Sequence, residues 1–166
     1  MTGVLLMLVF VPMLIEARRS SKNERIQRDR GGIEPRGDVY KMMQVAYPGA
    51  FVAMVAERAR QGGPPAELVV AGLAVFMTAK ALKWWAIASL DSFWTFRVIV
   101  VPGACLIARG PYTHLRHPNY LAVVGELAGV ALMAGARVSG PIAILAFGLL
   151  IVKRINVEER AMKHFA

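Results

Sequence analysis

The sequence is poor in cysteine and in charge. Cys105 is the single thiol among 166 residues, so the chain can form no internal disulfide. Charged residues make up 19% of the sequence, below the share of about a quarter that soluble domains carry, whereas hydrophobic residues make up 56%. Acidic residues are the scarcer sign, with 11 Asp and Glu against 20 Lys and Arg. This balance argues against a soluble domain, and the length allows one domain at most.

The sequence also lacks nucleic-acid-binding motifs, internal repeats and low-complexity tracts. Its basic residues are concentrated in the polar segments between hydrophobic runs, most densely at 18–41. We interpret this distribution as a sign of membrane topology and of contact with anionic membrane lipids, and we expect no nucleic-acid partner. No spacing of cysteine, histidine or acidic residues indicates a metal site.

The hydrophobic residues lie in long runs, which is the pattern of membrane-spanning helices. The first run is followed by Glu16 and basic residues rather than preceded by them, which indicates an uncleaved span instead of a signal peptide. We therefore predict an all-α integral membrane protein, a single domain over residues 1–166 with about five transmembrane helices. The predicted spans are 4–17, 42–57, 66–90, 118–136 and 140–153.

The distribution of Lys and Arg predicts the orientation of these spans. With the N-terminus outside and the C-terminus in the cytoplasm, three basic residues fall outside: Arg58, Arg60 and Arg137. All others lie inside or near the inner interface, including Lys80 and Lys83 toward the inner end of the third span, so the positive-inside rule is satisfied. We expect the inner membrane of a bacterium, with residues 91–117 on the cytoplasmic side as extended segments or an interfacial hairpin.

A polar stretch, GPYTHLRHPNY at 110–120, precedes the fourth span. Proline disfavours helical geometry in the residue before it, so His117 is held out of the helix and Pro118 begins it. The unsatisfied N–H groups of a helix N-terminus attract an anionic group such as a carboxylate. The polar side chains around this terminus are Arg116, His117, Asn119 and Tyr120. They indicate a site for a charged small molecule, and a purely interfacial cap is the open alternative.

A second polar segment, KRINVEERAM at 153–162, follows the fifth span. Arg154 and Glu158 are four residues apart and share a helix face, and Glu159 lies on a neighbouring one. The turn between spans four and five is very short, so span five must fold back along span four. We therefore expect the two polar segments to lie side by side. They predict a cytoplasmic cofactor pocket formed by the loop before helix four and the C-terminal helix.

Together the two segments resemble the isoprenylcysteine carboxyl methyltransferase family of integral membrane enzymes. The family pattern is Gly-x-Tyr, then Arg-His-Pro-x-Tyr, a hydrophobic hairpin and Arg-x-x-x-Glu-Glu. The matching residues here are Gly110, Tyr112, Arg116, His117, Pro118, Tyr120, Arg154, Glu158 and Glu159. The resemblance covers about residues 84–166, and the chain is similar to bacterial members associated with methylating lipid polyketides such as alkylpyrones and alkylresorcinols. One departure is Leu121-Ala122, where many members have glycine shortly after the motif tyrosine.

The resemblance implies an S-adenosylmethionine-dependent O-methyltransferase. Residues that match the family's cofactor contacts are Leu106, Ile107, Tyr112, His117, Pro118, Asn119, Tyr120 and Glu158, and the donors of Arg116 would join them. Arg154 matches the arginine that faces the acceptor. The implied acceptor is a lipophilic small molecule from the bilayer, methylated at the inner membrane face on a carboxylate or on a phenol or enol hydroxyl. A hydroxyl must lose a proton, for which Glu159 and Glu126 are the candidate bases.

Glu126 has a second interpretation. An ionisable residue about two turns into a membrane span is a functional hypothesis by default. The open alternative is a protonated or hydrogen-bonded glutamate that joins helices. The small residues of the fourth span also predict close helix packing there; they are Gly125, Ala128, Gly129 and Gly135.

Two other functions stay open at this point. Sterol-reductase-like, NADPH-dependent membrane reductases carry similar Arg-His-x-Asn-Tyr motifs before a span. A small non-catalytic membrane scaffold would need no cofactor at all. The sequence does not name the acceptor or the oligomeric state.

Overall fold

The computed structural model describes residues 2–105 and 107–165, the side chains of residues 164 and 165 excepted. Its five α-helices are α1 (Thr2–Asp29), α2 (Tyr40–Gln61), α3 (Ala66–Leu90), α4 (Pro118–Ala134) and α5 (Ser139–Phe165). Two short 3-10 helices lie between α3 and α4, at Asp91–Phe93 and Gly110–Thr113. The described residues contain no β-strand, and one isolated antiparallel bridge pairs Ile33 with Val100. The predicted all-α class with five long helices is confirmed.

Two helices extend well beyond the predicted spans. α1 is a single helix of 28 residues, so its apolar stretch and the polar stretch that follows form one continuous rod. α5 likewise continues from its apolar half into the polar segment at 153–162. Both polar extensions are therefore held rigidly by the apolar parts of the helices that carry them.

α3 and α4 approach each other closely through glycine. A Cβ atom placed on Gly129 would lie 2.7 Å from the backbone nitrogen of Phe76 and 2.8 Å from the carbonyl oxygen of Gly72. A Cβ atom on Gly125 would lie 2.9 Å from the Cβ atom of Ala79. Small residues allow two helix backbones to come this near. The predicted close packing of the fourth span is confirmed at these two glycines.

The turn between α4 and α5 makes the two helices an antiparallel pair. Gly135 ends α4 in the left-handed region, at φ +67°, a conformation that glycine adopts without strain. The carboxylate of Glu57 on α2 accepts a hydrogen bond of 2.7 Å from the backbone nitrogen of Ser139, where α5 begins. This turn returns α5 along α4 toward the loop that precedes α4.

Much of the apolar surface faces outward. By length and composition, one helix among the described residues is able to cross a membrane, at 139–163, and α4 is a shorter apolar helix. α1 and α3 carry charged side chains within their apolar stretches. Large exposed hydrophobic residues nevertheless recur on the outer faces of four helices, among them Val4, Met7, Val11, Val45, Val52, Val70, Leu73, Met77, Ile142, Leu145 and Leu149. Apolar surface of this extent marks a contact with lipid or another protein.

Candidate functional site

The two polar segments meet at one end of the helix bundle. The hydroxyl of Tyr120 donates a hydrogen bond of 2.8 Å to Oε2 of Glu158. Nε2 of His117 lies 3.6 Å from Oε1 of Glu159, and Nδ1 of the same ring lies 4.0 Å from Oε2 of Glu158. These contacts join the first turn of α4 to the polar half of α5. The predicted convergence of the two segments is confirmed.

The start of α4 orients the aromatic side chains of the site. His117 is the N-cap residue, with an extended φ of −132°, and buried Pro118 occupies the first helical position. The backbone nitrogen of Tyr120 bonds back to the carbonyl of His117 at 3.2 Å. Their rings lie 5.5 Å apart at a tilt of 31°. The Arg-His-Pro-x-Tyr sequence therefore folds into one compact turn with both rings facing α5.

Arg154 is a buried hub of this site. Its Nε donates a hydrogen bond of 2.9 Å to the hydroxyl of Tyr120, and its Nη1 donates one of 3.2 Å to Asp38. Its Nη2 donates to the carbonyl oxygen of Phe96. Arg154 is 5% exposed, so these partners replace its hydration. The assignment of Arg154 to the acceptor stays a prediction.

The polar half of α1 holds the loop that carries Phe96. The amide of Asn23 donates to the carbonyl oxygens of Asp91 at 2.7 Å and Trp94 at 2.8 Å. The hydroxyl of Ser20 accepts a hydrogen bond of 2.8 Å from the backbone nitrogen of Phe96. Ser20 and Asn23 are both buried. The loop after α3 is thus fixed by α1, and Trp94 of this loop reaches Asn119 at the start of α4 with Nε1–Oδ1 at 3.4 Å.

Asp38 belongs to the site although sequence reasoning did not select it. Its carboxylate accepts hydrogen bonds from the backbone nitrogens of Tyr40 and Val98, both at 3.1 Å, as well as from Arg154. Its side chain is 5% exposed. An acidic residue in a basic loop is ordinary, so the sequence offered no signal beyond the scarcity of acids. Three-dimensional proximity alone identifies it.

The remaining predicted residues lie around this centre. Tyr112 is half-buried in the second 3-10 helix, and burial together with the nearby Glu158 carboxylate raises the pKa of its phenol above the usual range, so it stays neutral. Ile107 is half-buried and Arg116 is exposed on the turn before α4. Leu106, also predicted as a cofactor contact, lies outside the described residues.

The backbone conformation at position 110 explains why the family pattern has glycine there. Its φ is +60°, and a Cβ atom there would lie 2.0 Å from the hydroxyl oxygen of Ser89. Any other residue would push the 3-10 helix that carries Tyr112 away from α3.

Comparison with known proteins identifies the family. Residues 71–164, more than half of the chain, match the profile of the Isoprenylcysteine carboxyl methyltransferase (ICMT) family. The chain belongs to this family. Members of the ICMT family are membrane proteins that use S-adenosylmethionine, so membership implies that this chain is a methyltransferase.

Similar proteins from two bacteria cover most of the chain. The uncharacterized protein YpbQ of Bacillus subtilis (strain 168) is 26% identical over 166 residues, which are 100% of this chain and 99% of that protein. An uncharacterized protein of Haemophilus influenzae (strain ATCC 51907 / DSM 11121 / KW20 / Rd) is 25% identical over 146 residues, which are 87% of this chain and 85% of that protein. No solved structure matches the chain at a significant level.

Glu126, within the matched ICMT region, lies in a buried charge cluster. Its Oε2 is 3.1 Å from Nζ of Lys80, and its Oε1 is 3.4 Å from Nζ of Lys83. The same two ammonium groups lie 2.8 Å and 2.7 Å from the carboxylate of Glu16, and Tyr47 donates a hydrogen bond to Glu126. The two acids and the two lysines therefore neutralise each other, and together with Tyr47 they join four helices.

The two lysines of this cluster are buried inside the bundle. Lys80 is 8% exposed and Lys83 is 2% exposed, and Glu16 and Glu126 on neighbouring helices supply their counter-charges. Their place toward the inner end of the third span stays a prediction. In the sequence, each of the helices that carry these residues is a hydrophobic span with charged side chains and no visible partner for them. The sequence did not show that the four charges face one another.

Two open cavities lie elsewhere on the molecule. One, of about 620 Å³, runs between α2 and α5 from Ala46 to the turn before α5. The other, of about 860 Å³, is bordered by the loop before α3 and the turn around Gly135. Tyr120 and Glu158 line neither cavity. The candidate site is therefore identified by its side-chain contacts and not by the volume of a cavity.

Proposed function

We propose that this ICMT-family protein is an O-methyltransferase that takes S-adenosylmethionine from the cytoplasm and a lipophilic acceptor from the bilayer. The observation that carries the proposal is the hydrogen bond between Tyr120 and Glu158. It joins the Arg-His-Pro-x-Tyr turn to the Glu-Glu pair in one polar site beside apolar helix surfaces. A water-soluble cofactor and a lipid can meet only at such a boundary.

The donor set at this site fits the cofactor. When bound, S-adenosylmethionine supplies a methyl group activated by a sulfonium. Glu158 uses one carboxylate oxygen for Tyr120, and its side chain is 31% exposed, so it can also accept from an ammonium or a ribose diol. The positive end of the helix dipole at the start of α4, beside Asn119, suits the cofactor's carboxylate. Ile107 and Tyr112 offer apolar surface for the adenine.

Methyl transfer places few chemical demands on the protein. The acceptor oxygen must align with the methyl group, and water must be kept away. A carboxylate acceptor needs no base. A hydroxyl acceptor must transfer its proton, and we assign that role to Glu159, whose side chain is 40% exposed, rather than to Glu126, whose carboxylate already faces two lysines. Arg154 keeps its assignment to the acceptor side.

The exposed apolar faces support membrane insertion. Side chains such as Val52, Met77 and Leu145 are more than half exposed. In water this surface would be unfavourable, whereas in a bilayer it is solvated by lipid. We place the site at the inner membrane face because the segments around it carry most of the basic residues.

Binding of the cofactor product tests the proposal first. The purified full-length protein in detergent is titrated with S-adenosylhomocysteine and, separately, with NADPH, and its melting temperature and calorimetric Kd are measured. We expect S-adenosylhomocysteine to bind and raise the melting temperature, and we expect NADPH not to bind. The reverse result would overturn the proposal in favour of a reductase.

The acceptor is then identified by transfer of label. Membranes containing the protein are incubated with methyl-labelled S-adenosylmethionine and prenylcysteine analogues, alkylpyrones, alkylresorcinols or fatty acids. A labelled lipid product that depends on Glu158 identifies the acceptor class. If no lipid is labelled while a soluble acceptor is, the bilayer is not the source of the substrate.

A further inference from the structure

We propose that Asp38 is a positioning residue that holds the charge of Arg154 away from Glu158, so that the Glu158 carboxylate stays available to a cationic group of the cofactor. This inference rests on the proposed function and adds a residue to it. Asp38 lies in the loop between α1 and α2, outside the region 71–164 that matches the family. The N-terminal part of the chain therefore completes the site.

The starting point is the spacing of Arg154 and Glu158. An arginine and a glutamate four residues apart on a helix lie on the same face and ordinarily attract each other. Arg154 is also buried, so it requires a counter-charge nearby. Without another acid, Glu158 would be the natural partner, and its charge would then be shared with the guanidinium.

The observed contacts follow a different arrangement. The guanidinium of Arg154 reaches Asp38 and the carbonyl oxygen of Phe96 instead of Glu158. The hydroxyl of Tyr120 stands between the two, because it accepts from Arg154 and donates to Glu158. Glu158 thus receives a neutral hydrogen-bond donor where a direct ion pair was possible.

The side chain of Asp38 is held in position to accept from Arg154. Its two carboxylate oxygens are fixed by the backbone nitrogens of Tyr40 and Val98, which belong to two different segments. The pairing of Ile33 with Val100 ties those segments together. Two other acids near this loop pair with other bases: Glu34 pairs with Arg28 and Arg97, and Glu24 also pairs with Arg97. Asp38 is the acid that reaches Arg154.

The test compares three variants of the full-length protein by calorimetric titration with S-adenosylhomocysteine, whose ammonium group is that of the cofactor. Asp38→Asn leaves Arg154 without its counter-charge and turns it toward Glu158, so we expect Kd to rise about tenfold, as for a lost hydrogen bond to a charged group. Arg154→Gln removes the guanidinium together with its hydrogen bond to Tyr120, so its Kd serves as the reference for the double variant. The double variant D38N/R154Q should bind as Arg154→Gln does, to within about threefold, because no guanidinium remains to occupy Glu158.

Glu34→Gln is the matched control, because it removes an acid from the same loop that pairs with Arg28 and Arg97 and not with Arg154. It should leave Kd unchanged. A purely structural role for Asp38 predicts that D38N weakens binding as much in the Arg154→Gln background as in the wild type, and that result would overturn the inference. If D38N alone fails to fold, R154Q and D38N/R154Q are compared with each other. Weaker binding by the double variant than by R154Q would also overturn the inference.

The same titrations separate this inference from the proposed function. A wild-type protein that binds no S-adenosylhomocysteine overturns both. A wild-type protein that binds it, with a D38N variant of equal affinity, overturns the role of Asp38 and leaves the methyltransferase assignment intact.

Discussion

A single phenol organises the candidate site. Tyr120 accepts a hydrogen bond from Arg154 and donates one to Glu158, and a hydroxyl group does both through one oxygen atom. Its ring also stands against His117. The side chain therefore carries two separable roles, one in the hydroxyl and one in the ring.

Replacing Tyr120 by phenylalanine separates these roles. The ring contact with His117 is kept, but Glu158 loses its donor and Arg154 loses one acceptor. Hydrogen bonds to charged groups contribute about 1.5–3 kcal/mol each, so we expect affinity for S-adenosylhomocysteine to fall about tenfold or more. Calorimetric titration measures this change. An unchanged Kd in a folded Tyr120→Phe protein would mean that the hydroxyl does not orient Glu158 for the cofactor.

Glu126 illustrates how burial changes the meaning of a residue. With Glu126→Gln, the two lysines keep only Glu16 as counter-charge, and an uncompensated buried charge costs about 3 kcal/mol or more. The double variant E126Q/K83M restores neutrality, and we expect its free energy of unfolding in detergent to return to within about 1 kcal/mol of the wild type. The fall in the single variant and the recovery in the double one are measured by thermal or denaturant unfolding.

The same double variant decides between the two interpretations of Glu126. A glutamate that only joins helices leaves methyl transfer within about fivefold of the wild type once neutrality is restored. Loss of a general base costs about a hundredfold or more. We expect the rate of methyl transfer to be retained. A hundredfold loss of this rate in a variant of normal stability would mean that Glu126 acts as the general base.

At the scale of elements, the pairing of α3 with α4 sets the position of the site. Gly129 lets the two backbones touch, so the start of α4 is held beside the end of α3 and the loop that follows it. Gly110 likewise allows a close approach, between α3 and the 3-10 helix that carries Tyr112. Glycines of two different helical elements thus place the aromatic residues of the site.

Gly129→Ala tests this close approach. The new methyl group would meet backbone atoms of Phe76 and Gly72 that cannot move independently, and we expect a loss of about 2 kcal/mol in stability. Gly148→Ala is the matched control on α5, because nothing lies within 4 Å of its Cβ position. That change should be neutral or stabilising by up to about 1 kcal/mol. Equal unfolding temperatures for the two variants would contradict the packing argument.

The helices could be predicted from the sequence more completely than the side-chain contacts between them. Periodic apolar runs and the turn around Gly135 were sufficient for five helices and for the meeting of Tyr120 with Glu158, because a short turn leaves α5 no other path. Asp38 and the polar face of α1 could not be found in this way. Apart from the hydrogen bond between Asp38 and Tyr40, the partners described above lie 60 or more residues away along the chain, and no local pattern records such contacts.

At the scale of the whole molecule, the question is which side of the membrane carries the site. Cys105 is exposed in the segment between α3 and α4, at the end where Tyr120 and Glu158 meet. We expect a membrane-impermeant maleimide to label Cys105 in inverted membrane vesicles and to leave it unlabelled in intact cells. Labelling is measured by the mass shift of the denatured protein.

An engineered cysteine at the opposite end provides the control. Arg137 is exposed in the turn between α4 and α5. In a Cys105→Ser background, Arg137→Cys should label in intact cells. The opposite pattern for both positions would invert the proposed orientation, and labelling of both from one side would rule out a spanning arrangement.

The neutral cluster of Glu16, Glu126 and the two lysines has a consequence for biosynthesis. In the proposed membrane arrangement, Lys80 and Lys83 are synthesised before Glu126, because the chain is made from its N-terminus. Until Glu126 follows, Glu16 is the acid of the cluster that is present, so we expect α1 to stay beside α3 during insertion. We therefore expect at least three helices to insert together rather than in independent steps.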